Sequence, residues 1–303
     1  MDFGGHFNIE EHLVKRAKGP GRPGDLALFQ DGPVPYFYFP ALEAAGGVVH
    51  GFSTRLGGVS RGDFASLNFS RTRGDDPAAV DENYRRMAAA LGVDVKSMVL
   101  SHQTHTVNVR LVTEADAGKG VVRERDYENV DGLITDVPGI TLVTFYADCV
   151  PLYFYDPVKR AVGLSHSGWR GTVRRMGQVT MAAMAEAFGS RPEDTIACIG
   201  PSICRGCYEV GPEVAEEFEE AFDRSRWEDI LDRKENGKYQ LDLWRANAII
   251  LEEAGIPKNH IHVTDVCTCC NPEYLYSHRR MGERRGNLCA FLGLSDEKLH
   301  ICK

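Results

Sequence analysis

The sequence predicts an α/β protein in which mixed β-sheets are flanked by helices within a single domain. Short apolar runs typical of strands alternate along the chain with amphipathic runs typical of helices, so all-β and all-α blocks are absent. Neither a tandem repeat nor a long low-complexity linker divides the sequence. The chain has 303 residues, 43% of them hydrophobic, which is enough to bury a large core. We therefore expect one layered α+β domain.

The N-terminal segment, residues 1 to about 35, is expected to be a loosely attached lead-in, and residues 36–303 the domain itself. Residues 19–24 contain three glycines and two prolines, a composition that excludes a helix or a central strand. The first clear strand follows at residues 48–53.

A helix is predicted at residues 77–91. It begins at Asp76, an N-cap residue followed by proline, and ends at Gly92. The later helices are predicted at residues 173–187 (closed by Gly189), around residues 214–222 and at residues 242–255. The other predicted elements are strands at residues 98–100, 107–112, 195–199 and 261–266, and an exposed charged loop at residues 115–129.

Residues 140–171 carry the strongest functional signal. Three short apolar runs, at residues 140–145, 150–155 and 161–164, predict neighbouring strands. Cys149 and His166 stand at matching ends of these strands, where a rigid scaffold exposes reactive side chains. This pair predicts either a cysteine nucleophile with its base or two metal ligands.

His102 and His105 supply a third candidate side chain for this site. Because residues three apart in a short turn need not share a face, we expect only one of them to point at the site. One cysteine with two histidines is a reasonable zinc set with an open fourth position, and in principle a copper set. A cysteine in an apolar strand is more often a small buried hydrophobe.

A second group of cysteines lies in the C-terminal half. Cys204 and Cys207 have the C-x-x-C spacing of a structural zinc site, and residues 267–270 could supply its other half. The two halves are far apart in sequence, so we expect packed free thiols instead. The group comprises Cys198, Cys204, Cys207, Cys267, Cys269 and Cys270.

The composition of the sequence excludes some classes of function. The formal net charge of −8 argues against a broad nucleic-acid surface but allows one local anion pocket. No apolar run approaches the roughly 18 residues of a membrane span, and no signal-peptide pattern opens the sequence. Nine cysteines, an odd number, favour free thiols or metal ligands over disulfides. We expect a cytoplasmic protein without membrane or nucleic-acid partners.

Anion binding is predicted at one turn. Gly168 and Gly171 open a helix-patterned segment, so backbone N–H groups and Arg170 converge there. Arg55 follows a strand and is a second basic residue that could bind an anion in this acidic protein. The ordinary interpretation of such arginines is surface salt bridging.

A series of short motifs runs through residues 50–280 and resembles one known family. The motifs are His50-Gly51-Phe52-Ser53-Thr54-Arg55 with Gly57-Gly58, Ser66-Leu67-Asn68 with Gly74-Asp75, Gln103-Thr104-His105, Asp131-Gly132-Leu133-Ile134-Thr135, Ala147-Asp148-Cys149-Val150-Pro151, His166-Ser167-Gly168-Trp169-Arg170-Gly171, Gly200-Pro201-Ser202-Ile203 with Cys207-Tyr208-Glu209-Val210, and Cys267-Thr268 with Ser277-His278-Arg279-Arg280. In this order they resemble the YfiH-type laccase-domain family, described as purine nucleoside phosphorylases and earlier as multicopper polyphenol oxidases.

The resemblance implies a metal site and a reaction. His105, Cys149 and His166 would be both the metal ligands and the catalytic residues, with zinc as the expected metal and copper as the alternative. The reaction would cleave adenosine, inosine, guanosine and methylthioadenosine with phosphate, giving the free base and (methylthio)ribose 1-phosphate. Adenosine deamination is a further activity of the family. We expect substrate and phosphate to be bound by Arg55, Asn68, Gly168 and Arg170.

Two positions depart from the family pattern. Thr106 stands where the family usually has glycine, which would alter the local turn. A Gly-Arg pair common near the C-terminus appears reversed, as Arg285-Gly286, which leaves the roles of Arg284 and Arg285 open.

Three other functions remain open from the residues alone. A copper-dependent polyphenol oxidase is disfavoured because the sequence lacks the several His-x-His pairs of a multicopper cluster. A cysteine hydrolase would use Cys149 and His166. A zinc-stabilised binding protein would hold its metal with the C-terminal cysteines.

Overall fold

In the computed structural model, residues 14–22 and 24–295 are described, and they form fifteen strands and eight α-helices. The strands are β1 (Ala27–Phe29), β2 (Tyr36–Tyr38), β3 (Val48–Ser53), β4 (Met98–Leu100), β5 (Val109–Leu111), β6 (Gly132–Thr135), β7 (Thr141–Tyr146), β8 (Val150–Asp156), β9 (Ala161–Ser167), β10 (Ile196–Ile199), β11 (Glu209–Val210), β12 (Leu231–Arg233), β13 (Tyr239–Leu241), β14 (Ile261–Val263) and β15 (Leu288–Leu294). The helices are α1 (Pro40–Ala45), α2 (Pro77–Leu91), α3 (Trp169–Val173), α4 (Met176–Phe188), α5 (Pro212–Ala221), α6 (Trp227–Ile230), α7 (Leu243–Glu253) and α8 (His278–Met281).

Two six-stranded sheets form the centre of the molecule. The strand order is β1-β2-β3-β15-β7-β4 in the first sheet and β14-β10-β8-β9-β6-β5 in the second. Each sheet mixes antiparallel pairs, such as β15 with β3 and β7, with parallel pairs, such as β10 with β14. Three short strands, in the order β11-β13-β12, make a third sheet. The predicted class, mixed sheets flanked by helices, is confirmed.

The two large sheets pack face to face. The Tyr146 hydroxyl on β7 bonds the Ser165 carbonyl on β9 at 3.1 Å, and the Tyr153 hydroxyl on β8 donates to the Gly51 carbonyl on β3 at 3.0 Å. Because successive side chains of a strand point to opposite faces, alternate residues of both sheets fill this space. They include Leu288, Ala290 and Leu292 from β15, and Val162 and Leu164 from β9.

Helices cover the outer faces of both sheets. Helix α2 packs Val80, Tyr84 and Met87 against the first sheet, where they meet Phe291 of β15. Helices α4 and α7 cover the second sheet, with Met181 and Met184 among the side chains of α4. The result is four layers, in the order α2, first sheet, second sheet, and α4 with α7.

Several predicted elements are confirmed at their predicted bounds, namely those at residues 48–53, 98–100 and 77–91. The bounds of α2 could be predicted because the residues that cap it, Asp76 and Gly92, directly flank the helix in sequence. The Asp76 carboxylate accepts the Ala78 N–H at 3.0 Å, and Gly92 ends α2 in the left-handed conformation with φ of 70°.

Other elements differ from the prediction. Strand β9 continues to Ser167, so His166 lies within the strand and not beyond its end. The helix predicted at residues 173–187 corresponds to α4, which ends at Gly189 as predicted but begins only at Met176, because the chain turns at Arg175, whose φ is 61°; the short helix α3 precedes that turn. Residues 115–129 are not fully exposed: Lys119 forms a buried ion pair with Asp116, with 2.8 Å between Nζ and Oδ1.

The described part of the predicted lead-in is attached to the domain. Strand β1 pairs with β2, and Leu26 is buried. The Ala17 N–H also donates to the Asp265 carbonyl at 2.7 Å. Residues 1–13 and 23 lie outside the described residues, and the domain boundary near residue 35 stays a prediction.

Within the described part of the chain, no helix combines the length and the apolar character that crossing a membrane requires.

We predict that Phe291→Ala lowers the free energy of unfolding by about 3–5 kcal/mol, the usual cost of removing a buried phenyl ring. Phe291 is fully buried on a central strand and contacts the ring of Phe69. The measurement is urea denaturation followed by circular dichroism. Val158→Ala, at a side chain that is 66% exposed, is the control and should change the value by less than about 0.5 kcal/mol. Equal effects of the two substitutions would contradict the four-layer packing.

Candidate functional site

The structure brings His105, Cys149 and His166 together. One ligand atom of each, the imidazole nitrogens and the cysteine sulfur, lies within 4.8 Å of the other two. The three residues line a cleft of about 1140 Å³. His166 is buried, Cys149 half-buried and His105 exposed, so the group faces solvent on one side. His102 also lines the cleft but does not belong to this group.

The sheet sets the positions of Cys149 and His166. Strands β8 and β9 are antiparallel, and Pro151 pairs with His166. Cys149 directly precedes β8, after a turn in which Asp148 has a φ of 92°. This turn places the cysteine beside the end of β9.

His105 is placed by a loop that follows β4. Its φ of 63° is unusual for a residue with a side chain, so the loop needs support from its surroundings. Its ring meets that of His166 edge to face, with 5.0 Å between the ring centroids.

Asp131 provides that support and connects both histidines. Its Oδ1 accepts from Nδ1 of His166 at 2.8 Å and from the His105 backbone N–H at 3.1 Å. Its Oδ2 accepts the backbone N–H groups of Thr104 and Thr106, at 3.0 and 2.9 Å. Because a carboxylate can only accept, the shared proton belongs to Nδ1 of His166, and Nε2 is left for another partner.

Thr106, which departs from the family pattern, joins the same network. Its hydroxyl donates to Asp131 Oδ2 at 2.8 Å. The residue therefore adds a bond to the carboxylate that holds the loop.

The charges of the site are coupled. Burial lowers the pKa of His166, but the neighbouring Cys149 and the bond to Asp131 outweigh it and raise that pKa to about 9. Burial raises the pKa of Cys149, but His166 and His105 outweigh it and lower that pKa to about 6. Burial likewise opposes ionisation of Asp131, whose pKa nevertheless falls to about 2 because it bonds His166. The site favours a thiolate beside an imidazolium.

Gly168 leaves space in front of the three side chains. A Cβ at this position would lie 3.0 Å from the Cys149 sulfur and 3.2 Å from Cδ2 of His105. Any side chain here would crowd the atoms that face the cleft, so the backbone of residue 168 borders the site directly.

Arg55 and Asn68 lie elsewhere and have protein partners. The Arg55 guanidinium donates three bonds of 2.7 to 2.9 Å to the carbonyls of Ala65 and Pro272, and it stacks on Tyr276. The Asn68 amide makes four bonds within the protein, which uses its full capacity. Neither residue lines the cleft.

Arg170 is exposed and stacks on Trp169, with 4.3 Å from its guanidinium carbon to the ring centroid. It is not among the residues that line the cleft.

Two residues of the site were not proposed from the sequence. Asp131 could have been suspected, because it begins the motif Asp131-Gly132-Leu133-Ile134-Thr135 and directly precedes the strand that this motif predicts. Arg285 lines the cleft, is buried, and its Nε has no hydrogen-bond partner in the described structure. The sequence marked Arg285 only by the reversed Arg285-Gly286 pair, which assigned it no role.

Comparisons with known proteins agree with the fold and the motifs. The family model described as multi-copper polyphenol oxidoreductase laccase matches residues 49–295. A protein named purine nucleoside phosphorylase YlmD, from Bacillus subtilis, is 38% identical over 253 residues, which are 82% of this chain and 89% of that protein. A protein named adenosine deaminase RL5, from an unknown prokaryotic organism, is 35% identical over 241 residues, which are 78% and 91% of the two chains.

Solved structures show the same fold. The crystal structure of YlmD from Geobacillus stearothermophilus superposes with a TM-score of 0.80 at 34% identity, over 86% of this chain and 96% of that one. The Bacillus licheniformis hypothetical protein YfiH gives a TM-score of 0.83 at 33% identity, over 88% and 99%. From the family match and these relatives, the chain belongs to the multi-copper polyphenol oxidoreductase laccase family, the laccase-domain family that its motifs resemble.

Proposed function

We propose that this chain is a purine nucleoside phosphorylase that cleaves adenosine, inosine, guanosine and methylthioadenosine with phosphate. The observation that carries the proposal is the group of His105, Cys149 and His166, held by Asp131 at a cleft with basic side chains. Relatives that carry this activity in their names support it. A cytoplasmic location stays a prediction.

The group fits a metal ion. Its three ligand atoms lie within 4.8 Å of one another, Nε2 of His166 is left free by Asp131, and Gly168 adds no side chain in front of them. One sulfur and two imidazole nitrogens with an open fourth position are a donor set suited to a catalytic zinc ion. We propose zinc held by His105, Cys149 and His166, and it would supply Lewis-acid chemistry and a water of lowered pKa.

Copper remains the alternative metal at this group. A multicopper cluster would need several groups of histidines, whereas residues 14–22 and 24–295 offer this group and one made of four cysteines. The site therefore favours nucleoside chemistry over polyphenol oxidation.

Phosphorolysis of a nucleoside determines which groups the cleft must bind and which charges it must stabilise. The bond between C1′ of the ribose and the base nitrogen breaks, and a bond between C1′ and a phosphate oxygen forms. The base leaves with the electron pair and takes up a proton, while the ribosyl group becomes positively charged in between. The site must hold an anion next to the sugar, and we assign acid–base or metal-assisted work to the His105, Cys149 and His166 group.

We assign the phosphate to Arg285. Arg285 is buried at the cleft, and its Nε has no hydrogen-bond partner in the described structure, although its Nη1 donates to the Gly286 carbonyl and to Oδ1 of Asn287. Burial lowers the pKa of Arg285 to about 10, so it stays a cation at neutral pH. The contacts of Arg55 and Asn68 favour structural roles instead. Gly168 remains a proposed wall of the site and Arg170 a proposed outer anion contact.

Adenosine deamination is a second candidate. The similarity to a protein named adenosine deaminase favours it, and the Lewis-acid chemistry that a metal held by His105, Cys149 and His166 would supply suits a hydrolytic deamination.

Inosine should yield hypoxanthine and ribose 1-phosphate only when phosphate is present. Chromatography of the products, with and without phosphate, is the measurement. The Cys149→Ser variant, prepared in the same way, controls for contaminating phosphorylase. Free ribose released equally fast without phosphate would exclude phosphorolysis, and a covalent adduct on Cys149 would support the cysteine hydrolase.

Asp131→Asn should weaken metal binding about 10- to 100-fold, because the amide no longer fixes the His166 ring or the His105 loop as a carboxylate does. Competition with a zinc chelator measures the affinity, and His166→Ala marks complete loss at this site. The exposed Asp136→Asn is the matched control and should bind as the unmodified protein does. Unchanged affinity in Asp131→Asn would show that the carboxylate does not position the ligands.

Arg285→Ala should raise KM for phosphate roughly 10- to 100-fold, since a hydrogen bond to a charged group contributes about 1.5–3 kcal/mol. KM for inosine should change little. Arg284→Ala is the matched control, because this neighbouring arginine is exposed and pairs with Asp63. A parallel rise of both KM values in Arg285→Ala would indicate a structural arginine.

A further inference from the structure

We propose that Cys204, Cys207, Cys267 and Cys270 form a structural zinc site, separate from the His105, Cys149 and His166 group, that holds the turn before Cys149 in place. The sequence favoured packed free thiols for these cysteines because 59 residues separate the two C-x-x-C pairs. The structure brings all four together.

The topology of the second sheet explains how the pairs meet. Strands β10 and β14 are parallel neighbours, so the loops that follow them leave the sheet at the same edge. The first loop carries Cys204 and Cys207, and the second carries Cys267 and Cys270. The bridge between Ser202 and Cys267 extends the pairing into both loops.

The sulfur atoms have the spacing of a tetrahedral metal site. All four lie within 4.8 Å of one another, and those of Cys207 and Cys270 are 3.4 Å apart. Zinc–sulfur bonds of about 2.3 Å place the sulfurs of a tetrahedron about 3.8 Å apart. Four sulfurs are a donor set that selects zinc or iron, and a four-coordinate cysteine site has no open position, as is usual for structural zinc.

Burial and hydrogen bonding favour the same interpretation. Cys267 is fully buried, Cys204 is nearly so, and the Cys204 N–H donates to the Cys267 sulfur at 3.2 Å. Thiols are weak hydrogen-bonding groups and gain little from facing one another. By contrast, Cys198 and Cys289 are packed into apolar cores as ordinary buried residues.

The site would act on Cys149 through its neighbour. The Ile203 N–H donates to the Asp148 carbonyl at 3.0 Å, and the Thr268 hydroxyl donates to the Asp148 carboxylate at 2.6 Å. Ile203 precedes Cys204 and Thr268 follows Cys267, so each cysteine loop holds Asp148 from one side. A metal that joins the loops would therefore fix the turn in which Asp148 adopts its φ of 92°.

The experiment counts metal in protein purified under reducing conditions and passed through gel filtration. Unmodified protein should contain about two zinc ions per chain, one for each cluster. Cys207→Ser and Cys270→Ser, at the two less buried ligands, should each lose the zinc ion of the four-cysteine site. Cys149→Ser should lose the zinc ion held with His105 and His166. The double variant Cys149→Ser with Cys207→Ser should contain none.

Cys269→Ser is the matched control. Cys269 lies in the same loop and is half-buried, but it is not one of the four sulfurs, so its replacement should keep both ions. Iron in place of zinc, an unchanged zinc content in Cys207→Ser, or disulfides between the two loops found by mass spectrometry of fresh protein would each overturn the proposal.

A second test uses unmodified protein, so that it still applies if the cysteine variants do not fold. Anomalous scattering at the zinc edge should show a peak between the four sulfurs, and its absence in fully reduced crystals would exclude the site. Both readouts are independent of the reaction, so a failure here is distinguishable from a failure of the phosphorylase assignment.

Discussion

The site depends on one buried carboxylate, Asp131, which accepts hydrogen bonds from Nδ1 of the His166 ring and from backbone N–H groups of the loop that carries His105. A charge removed from water is costly unless its oxygens are satisfied, and here each oxygen has at least two donors. Because the same group fixes the His166 ring and the His105 loop, these two side chains cannot be positioned independently. A shift of the loop costs hydrogen bonds to the carboxylate, and a change of the His166 tautomer does the same.

Both loops that border the cluster contain a residue in a conformation that side chains rarely adopt. His105 and Asp148 have φ values of 63° and 92°, and each is held by hydrogen bonds from distant segments. Asp131 holds the first, and the loops that carry Ile203 and Thr268 hold the second. Such conformations persist only where the surroundings overdetermine them. Both unusual conformations therefore lie where the three reactive atoms converge, and their supports come from segments next to β6 on one flank of the β8–β9 pair and next to β10 and β14 on the other.

Features with local causes could be predicted from the sequence, and features that depend on distant pairing could not. The bounds of α2 follow from Asp76, Pro77 and Gly92, and the convergence of Cys149 with His166 follows from adjacent strands. Spacing along the chain did not reveal that β10 and β14 are neighbours, which is what unites the four cysteines. It likewise did not show that Arg55 binds backbone carbonyls or that Arg285 enters the cleft, because burial and partners of arginine depend on tertiary structure.

The position of β15 has a consequence for synthesis of the protein. This strand, at residues 288–294, is inserted between β3 and β7 and contributes to the packing on both faces of the first sheet. A chain emerging from the ribosome therefore cannot complete that sheet until residue 294 is free, and until then β3 and β7 each expose an unpaired edge. Pairing of β15 then closes both edges in one step, so the first sheet forms in full only after nearly the whole described chain has been made.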